Sequence, residues 1–188
     1  MKIMENINLS SNSESSVIKR FKVHFRVLTN SLIPETEMLD VANSFYGRYN
    51  ISIDLISSIS LVNTCPPEYK NRQIREDCTF GITLTSDESE LYAYGRDAPP
   101  LQPCIYFINS TTPAAWGCVY RDPSKGSIII TKSANKWVFA HEVGHYLGLT
   151  YHSNDPNHLM NLDTRFTGQP YLNNNEISII QTSEFLTV

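Results

Sequence analysis

Five consecutive residues, His141-Glu142-Val143-Gly144-His145, constrain this 188-residue chain more than any others. On a helix, residues four apart lie one above the other on the same face. Two imidazoles from consecutive turns can then reach one metal ion. Glu142, one step round, can address a water at that ion without ligating it. Zinc would lower the pKa of such a water from about 15.7 towards about 7 and polarise a carbonyl. The carboxylate would take the proton and pass it to a leaving amine. The competing reading is a helix with two ordinary surface histidines. Against it, Val138-Phe139-Ala140 and Tyr146-Leu147 flank the motif with apolar residues, so the histidines are expected to be at least partly buried and to need partners.

The residues that follow add to the pattern. Gly148 can adopt the left-handed conformation that ends a helix and turns the chain sharply, bringing a third ligand back. His152 lies four residues beyond it, and Met160 eight further on in Asp155-Pro156-Asn157-His158-Leu159-Met160. The stretch resembles the metzincin clan of zinc metallopeptidases, whose pattern is H-E-x-x-H-x-x-G-x-x-H followed by a methionine-containing turn. Gly144-His145-Tyr146-Leu147-Gly148-Leu149 looks like the pappalysin and matrix-metalloproteinase branches. His141, Glu142, His145 and Gly148 match. Strict spacing puts Tyr151 at the third ligand, with His152 one residue late. Either the loop after the glycine carries one extra residue and His152 ligates, or Tyr151 does. Imidazole is the commoner zinc ligand. The step from His152 to Met160 also equals that of the matrix metalloproteinases, so His152 is favoured. Met160 would form a hydrophobic floor.

The resemblance implies a metzincin-like α/β (α+β) catalytic domain. Its twisted, mostly parallel sheet would carry an antiparallel edge strand, an active-site helix and a C-terminal helix. It implies a zinc endopeptidase acting on protein or peptide substrates, with Zn2+ as cofactor and Glu142 as general base and acid. Substrate would lie antiparallel to the edge strand Trp116-Gly117-Cys118-Val119-Tyr120, with the wall of the primed-side pocket drawn from residues 161–171. Two alternatives stand beside this. Glu176, preceded by Asn175, could be a thermolysin-like third ligand, although it lies far from His145. The zinc could instead stabilise a non-catalytic binding module, but a structural site needs a fourth ligand and has no use for Glu142.

The rest of the chain reads as one domain over residues 20–188 behind a flexible polar segment, 1–19. Phe21–Leu28 and Ile51–Ile56 alternate with period two, as half-buried strands do. Between them Pro34 opens a helix, with Ser31 a candidate cap and Gly47 a candidate stop. Residues 63–102 read mostly as a long loop, with Thr79–Thr85 a candidate strand. Cys104–Ile108, Trp116–Tyr120 and Ser127–Thr131 follow as short strands, with Asn109–Pro113 as a turn. A helix is expected over Ser133–Leu147, capped by Ser133 or Asn135. Another is expected within Leu172–Phe185, capped by Asn173 or Asn174. His158 is expected to face solvent and His24 to be structural.

Composition bounds partners and compartment. The net charge is −4, and no basic run exceeds Lys19-Arg20, so nucleic acid is not an expected partner. No apolar stretch approaches the ~18 residues of a membrane span. A monomer is expected. The four cysteines lean towards an oxidising compartment. Sequence-local pairing would join Cys65 to Cys78 and Cys104 to Cys118, and the alternative is four buried thiols. Secretion is therefore expected. No signal peptide is visible, so the export route could be that of a leaderless effector or toxin.

Overall fold

The computed structural model describes residues 17–64, 85–124 and 126–188, and the backbone of Gln73–Arg75. The first alternating run forms β1 (Lys19–Val27), which starts one residue inside the expected polar lead-in. Helix α1 (Glu35–Tyr46) carries the chain back so that β2 (Ile51–Ser60) lies parallel to β1. A parallel pair needs such a crossover, because both strands start at the same end of the sheet. Next come β3 (Gln73–Arg75), helix α2 (Ser86–Tyr92) and β4 (Cys104–Ile108). After them come β5 (Ser110–Thr112), β6 (Gly117–Tyr120) and β7 (Ser127–Thr131). Helices α3 (Val138–Tyr146) and α4 (Asn174–Gln181) close the chain. The main sheet has the order β2-β1-β4-β7-β6, all parallel except β6, which runs antiparallel to β7 at the edge. β3 and β5 form a separate parallel pair.

The central strands are apolar without interruption because both faces of the sheet are covered. Ile105, Phe107, Ile128 and Ile130 point to one face, where they pack with Met38 and Phe45 of α1 and Phe139 and Val143 of α3. Cys104, Tyr106, Ile108 and Ile129 point to the other, against Leu91 of α2. All nine residues of α3 are buried, as expected of a helix that is apolar nearly all round and sits inside the fold. β1 also buries a cation: Arg26 gives its Nε–H to Tyr94 O at 3.0 Å and holds both carboxylate oxygens of Asp97 at 2.7 and 2.8 Å. Both Asp97 contacts come from Nη2, and charge-assisted bonds of this kind offset the cost of burying the guanidinium.

Several local expectations change. Pro34 is the residue before α1, and no side chain caps that helix. α1 ends at Tyr46 with Gly47 as its C-cap, as expected, but Gly47 keeps a right-handed conformation. The chain runs on through a 3-10 turn, and Asn50 makes the left-handed exit at φ 58°. Part of the expected loop is α2, which opens with a capping box between Thr85 and Glu88. The expected turn at Asn109–Pro113 contains β5. Helix α3 starts at Val138 rather than Ser133. Asn135 Oδ1 accepts from Trp137 N at 2.9 Å and so orders the turn before the helix. α4 is capped by Asn173, one of the two expected residues.

Cys104 and Cys118 are not bridged. They lie on β4 and β6, which are separated by β7, and they pair with Ser127 and Ile129 respectively. Two strand spacings of about 4.8 Å exceed the Cα separation a disulfide spans. Cys65, Cys78 and most of the Thr79–Thr85 run lie outside the described residues, as do residues 1–16. Among the described residues, no helix is long and apolar enough to cross a membrane.

Candidate metal centre

The i, i+4 spacing on α3 sets the rings of His141 and His145 4.7 Å apart, with their Nε2 atoms at 3.0 Å. Gly148 then reverses the chain at φ +121°, a conformation that residues with a Cβ rarely adopt. The reversal buries Leu149 and turns its carbonyl onto His145 Nδ1 at 2.6 Å. Three residues later His152 comes back over the helix. Its Nε2 lies 3.1 Å from that of His145, and its ring stacks at 14° on that of His141. One nitrogen from each of the three histidines lies within 4.8 Å of the others.

The tautomers follow from the partners of Nδ1. Leu159 O accepts from His141 Nδ1 at 2.8 Å, and Leu149 O accepts from His145 Nδ1. A carbonyl only accepts, so the proton sits on Nδ1 and the lone pair on Nε2. Two lone pairs facing each other at 3.0 Å cannot bond one another, and a cation between them relieves the repulsion. Burial, helped by the neighbouring His145, pushes the His141 pKa down to about 3. Burial likewise takes His145 down to about 4 and lowers His152. All three are thus held in the neutral, ligating form. Three imidazoles with one position open towards a cleft are a donor set that fits zinc.

Glu142 points the other way round the helix, towards β6. Its carboxylate lies against Gly117 so closely that a Cβ at position 117 would be 2.5 Å from Oε1. Glu142, the three histidines, Trp116 to Val119, Leu162 and Thr164 are among the residues that line a cleft of about 470 Å³. Of the expected edge strand, Gly117–Tyr120 are in β6. Trp116 stands just before it, where its carbonyl accepts from Thr131 N at 2.9 Å. Among the described strands, β6 pairs with β7 alone.

Met160 is fully buried beneath α3, with its sulfur against Gly144, between the two helical histidines. The segment around it also orients the histidine side chains. Leu159 supplies the carbonyl for His141, and Met160 O accepts from Ser153 N at 2.8 Å, next to His152. Tyr151 is 44% exposed and turned outward, its hydroxyl donating to Glu176 Oε1. Strict spacing would make Tyr151 the third ligand. The structure instead brings His152 to the cluster, with the extra residue absorbed between Leu149 and Tyr151.

One expectation fails beside α4, and one alternative drops out. His158 is buried rather than solvent-facing. Its Nδ1 accepts from Met160 N at 3.1 Å, which leaves the ring proton on Nε2, 2.8 Å from Glu176 Oε2. Glu176 is fully buried, and both its oxygens are taken, by Tyr151, His158 and the N–H of Asn173 at 2.7 Å. It does not face the histidine cluster, so the thermolysin-like ligand set is excluded. The Asn-x-x-Glu capping signature at 173–176 was the sequence signal for that local role. His24 is structural as expected, held by Ser57 at 2.9 Å and Gln102 at 3.0 Å.

No protein-family model matches the sequence, and no curated protein does. Solved structures do match. Metalloproteinase-II from Bacteroides fragilis is 13% identical with a TM-score of 0.58, over 90% of this chain and 54% of that one. The chain thus spans about half the length of that protein. Archaemetzincin from Methanopyrus kandleri is 14% identical with a TM-score of 0.51, over 89% of this chain and 96% of that one. A zinc-dependent peptidase from Methanocorpusculum labreanum aligns over 84% of this chain and 99% of its own, at 15% identity. Its TM-score of 0.48 is too low to carry weight. At these identities the likeness is one of fold alone, shared with the Bacteroides fragilis and Methanopyrus kandleri proteins.

Proposed function

We propose that the chain is a zinc-dependent endopeptidase. The observation that carries this reading is the convergence of three histidine side chains, with one nitrogen of each within 4.8 Å of the others, at a cleft that also holds the Glu142 carboxylate. His141, His145 and His152 would hold the metal. Bound zinc supplies Lewis acidity, lowering the pKa of a water and polarising a carbonyl oxygen. Glu142 takes a proton from the attacking water on its carboxylate and returns it to the leaving amine nitrogen. Positioned acid–base groups of this kind contribute about 10²–10⁴-fold. An extended peptide in the cleft runs along β6, with Leu162 and Thr164 beside its primed side. Protein or peptide substrates fit an open cleft of this form.

The finer kinship we infer is to metzincins, with one extra residue before the third ligand. The Gly148 turn, the returning histidine and Met160 beneath the helix support it. The test is zinc content together with cleavage of an unfolded protein, comparing wild type with Glu142→Ala. Retained zinc with cleavage reduced about 10²-fold or more supports the peptidase. Retained zinc with no cleavage by wild type favours a zinc-stabilised binding module, and cleavage unchanged in the variant overturns the role of Glu142.

A further inference from the structure

The loop that returns His152 to the cluster is one residue longer than the resembling pattern, and slack there would loosen the third ligand. Its conformation is held from outside the cleft by one buried carboxylate. Glu176, in the first turn of α4, accepts the Tyr151 hydroxyl on Oε1 and His158 Nε2–H on Oε2, the latter at 2.8 Å. Oε2 also accepts from Asn173 N at 2.7 Å, which locks the carboxylate to the helix start. Tyr151 immediately precedes His152. His158 Nδ1 accepts from the N–H of Met160, whose own carbonyl accepts from Ser153 N at 2.8 Å, immediately after His152. Asn161 adds a bond from Nδ2 to Ser153 O at 2.9 Å. The two flanks of His152 are therefore fixed, one directly and one through His158 and the Met160 segment, by the same carboxylate.

We propose that Glu176 is a positioning residue for the metal centre, acting through Tyr151 and His158 to hold His152 in ligating geometry. This rests on the reading of the three histidines as the zinc site. Glu176 touches neither metal nor substrate. The tyrosine that stands where the shorter pattern has its ligand serves as the anchor that accommodates the extra residue. Outer groups that orient ligands typically change metal affinity 10–100-fold.

The test is the rate at which zinc-loaded protein loses zinc to an excess of a chromogenic chelator. Wild type is compared with Tyr151→Phe, Glu176→Gln and the double variant, and the melting temperature of each metal-free protein is measured alongside. Tyr151→Phe removes one hydroxyl from a half-exposed ring. Glu176→Gln keeps an oxygen for the Asn173 cap but cannot accept from both Tyr151 and His158. Each single variant should release zinc about 10-fold faster or more. The double variant should be no faster than the faster single, because the two act as one unit. The metal-free melting temperature of Tyr151→Phe should stay near that of wild type. Zinc release at the wild-type rate in both single variants overturns the proposal, as do independent, multiplying effects. A wild type that binds no zinc overturns both this proposal and the zinc-peptidase reading, whereas a zinc-binding wild type with unaltered variants overturns only the positioning role.

Discussion

Gly117 on β6 is the residue that lets the Glu142 carboxylate stand at the rim of the cleft. A Cβ at position 117 would lie 2.5 Å from Oε1, 2.6 Å from Cγ and 2.7 Å from Cδ of Glu142. No methyl fits there unless the carboxylate moves. Gly117→Ala should therefore displace the acid–base group while leaving the histidines alone. The expected outcome is unchanged zinc content with kcat for peptide cleavage lowered about 10²-fold, the size of effect a 1 Å misplacement can have. Wild-type kcat in this variant would show that the carboxylate has room to spare.

Gly148 performs a different task. Its φ of +121° turns the chain out of α3, and a Cβ there would also meet Ile179 Cγ2 at 3.2 Å. Gly148→Ala should destabilise the protein by about 1–3 kcal/mol through backbone strain. At this chain length that corresponds to roughly 2–4 °C of melting temperature per kcal/mol, read by thermal denaturation. Zinc affinity should fall as well, because the turn carries the carbonyl that orients His145. A melting temperature equal to that of wild type would contradict the strain argument.

The Arg26–Asp97 pair predicts an acid response. Hydrogen bonds from Arg26 hold the Asp97 carboxyl below the usual carboxylate range. A carboxyl depressed in the folded state takes up its proton more readily when unfolded. It therefore contributes stability above about pH 4 that is lost as pH falls through the folded-state value. Asp97→Asn should melt lower than wild type at neutral pH, and its melting temperature should fall less steeply between about pH 5 and about pH 3. Equal acid slopes in the two proteins would rule the pair out as a source of that dependence.

What was legible in the sequence followed physical range. Period-two alternation marked β1 and β2, and short runs bounded by turn residues marked β4, β6 and β7, since both signals are local. The helical spacing of His141 and His145, and the need for a glycine at 148, are also local properties. His152 could be favoured over Tyr151 but not settled, because the choice depends on how a loop folds over a helix. The burial of His158 and its bond to Glu176 were invisible, since they arise where two distant segments meet. Glu176 kept a minor alternative as a metal ligand beside the favoured helix-start reading, because a carboxylate after an asparagine reads the same whether it faces an ion or caps its own helix. The expected Cys104–Cys118 bridge failed because nearness in sequence carried no information about β7 running between β4 and β6.

Joint ligation of one metal ion by His141, His145 and His152 underlies the proposed activity. It is tested most directly by counting zinc per chain, with elemental analysis after dialysis against trace zinc, in wild type and in His152→Ala. The account predicts one zinc per wild-type chain and little or none retained by His152→Ala, because two imidazoles alone do not complete the site. Wild type that takes up no zinc, or His152→Ala that retains it as tightly as wild type, would contradict it.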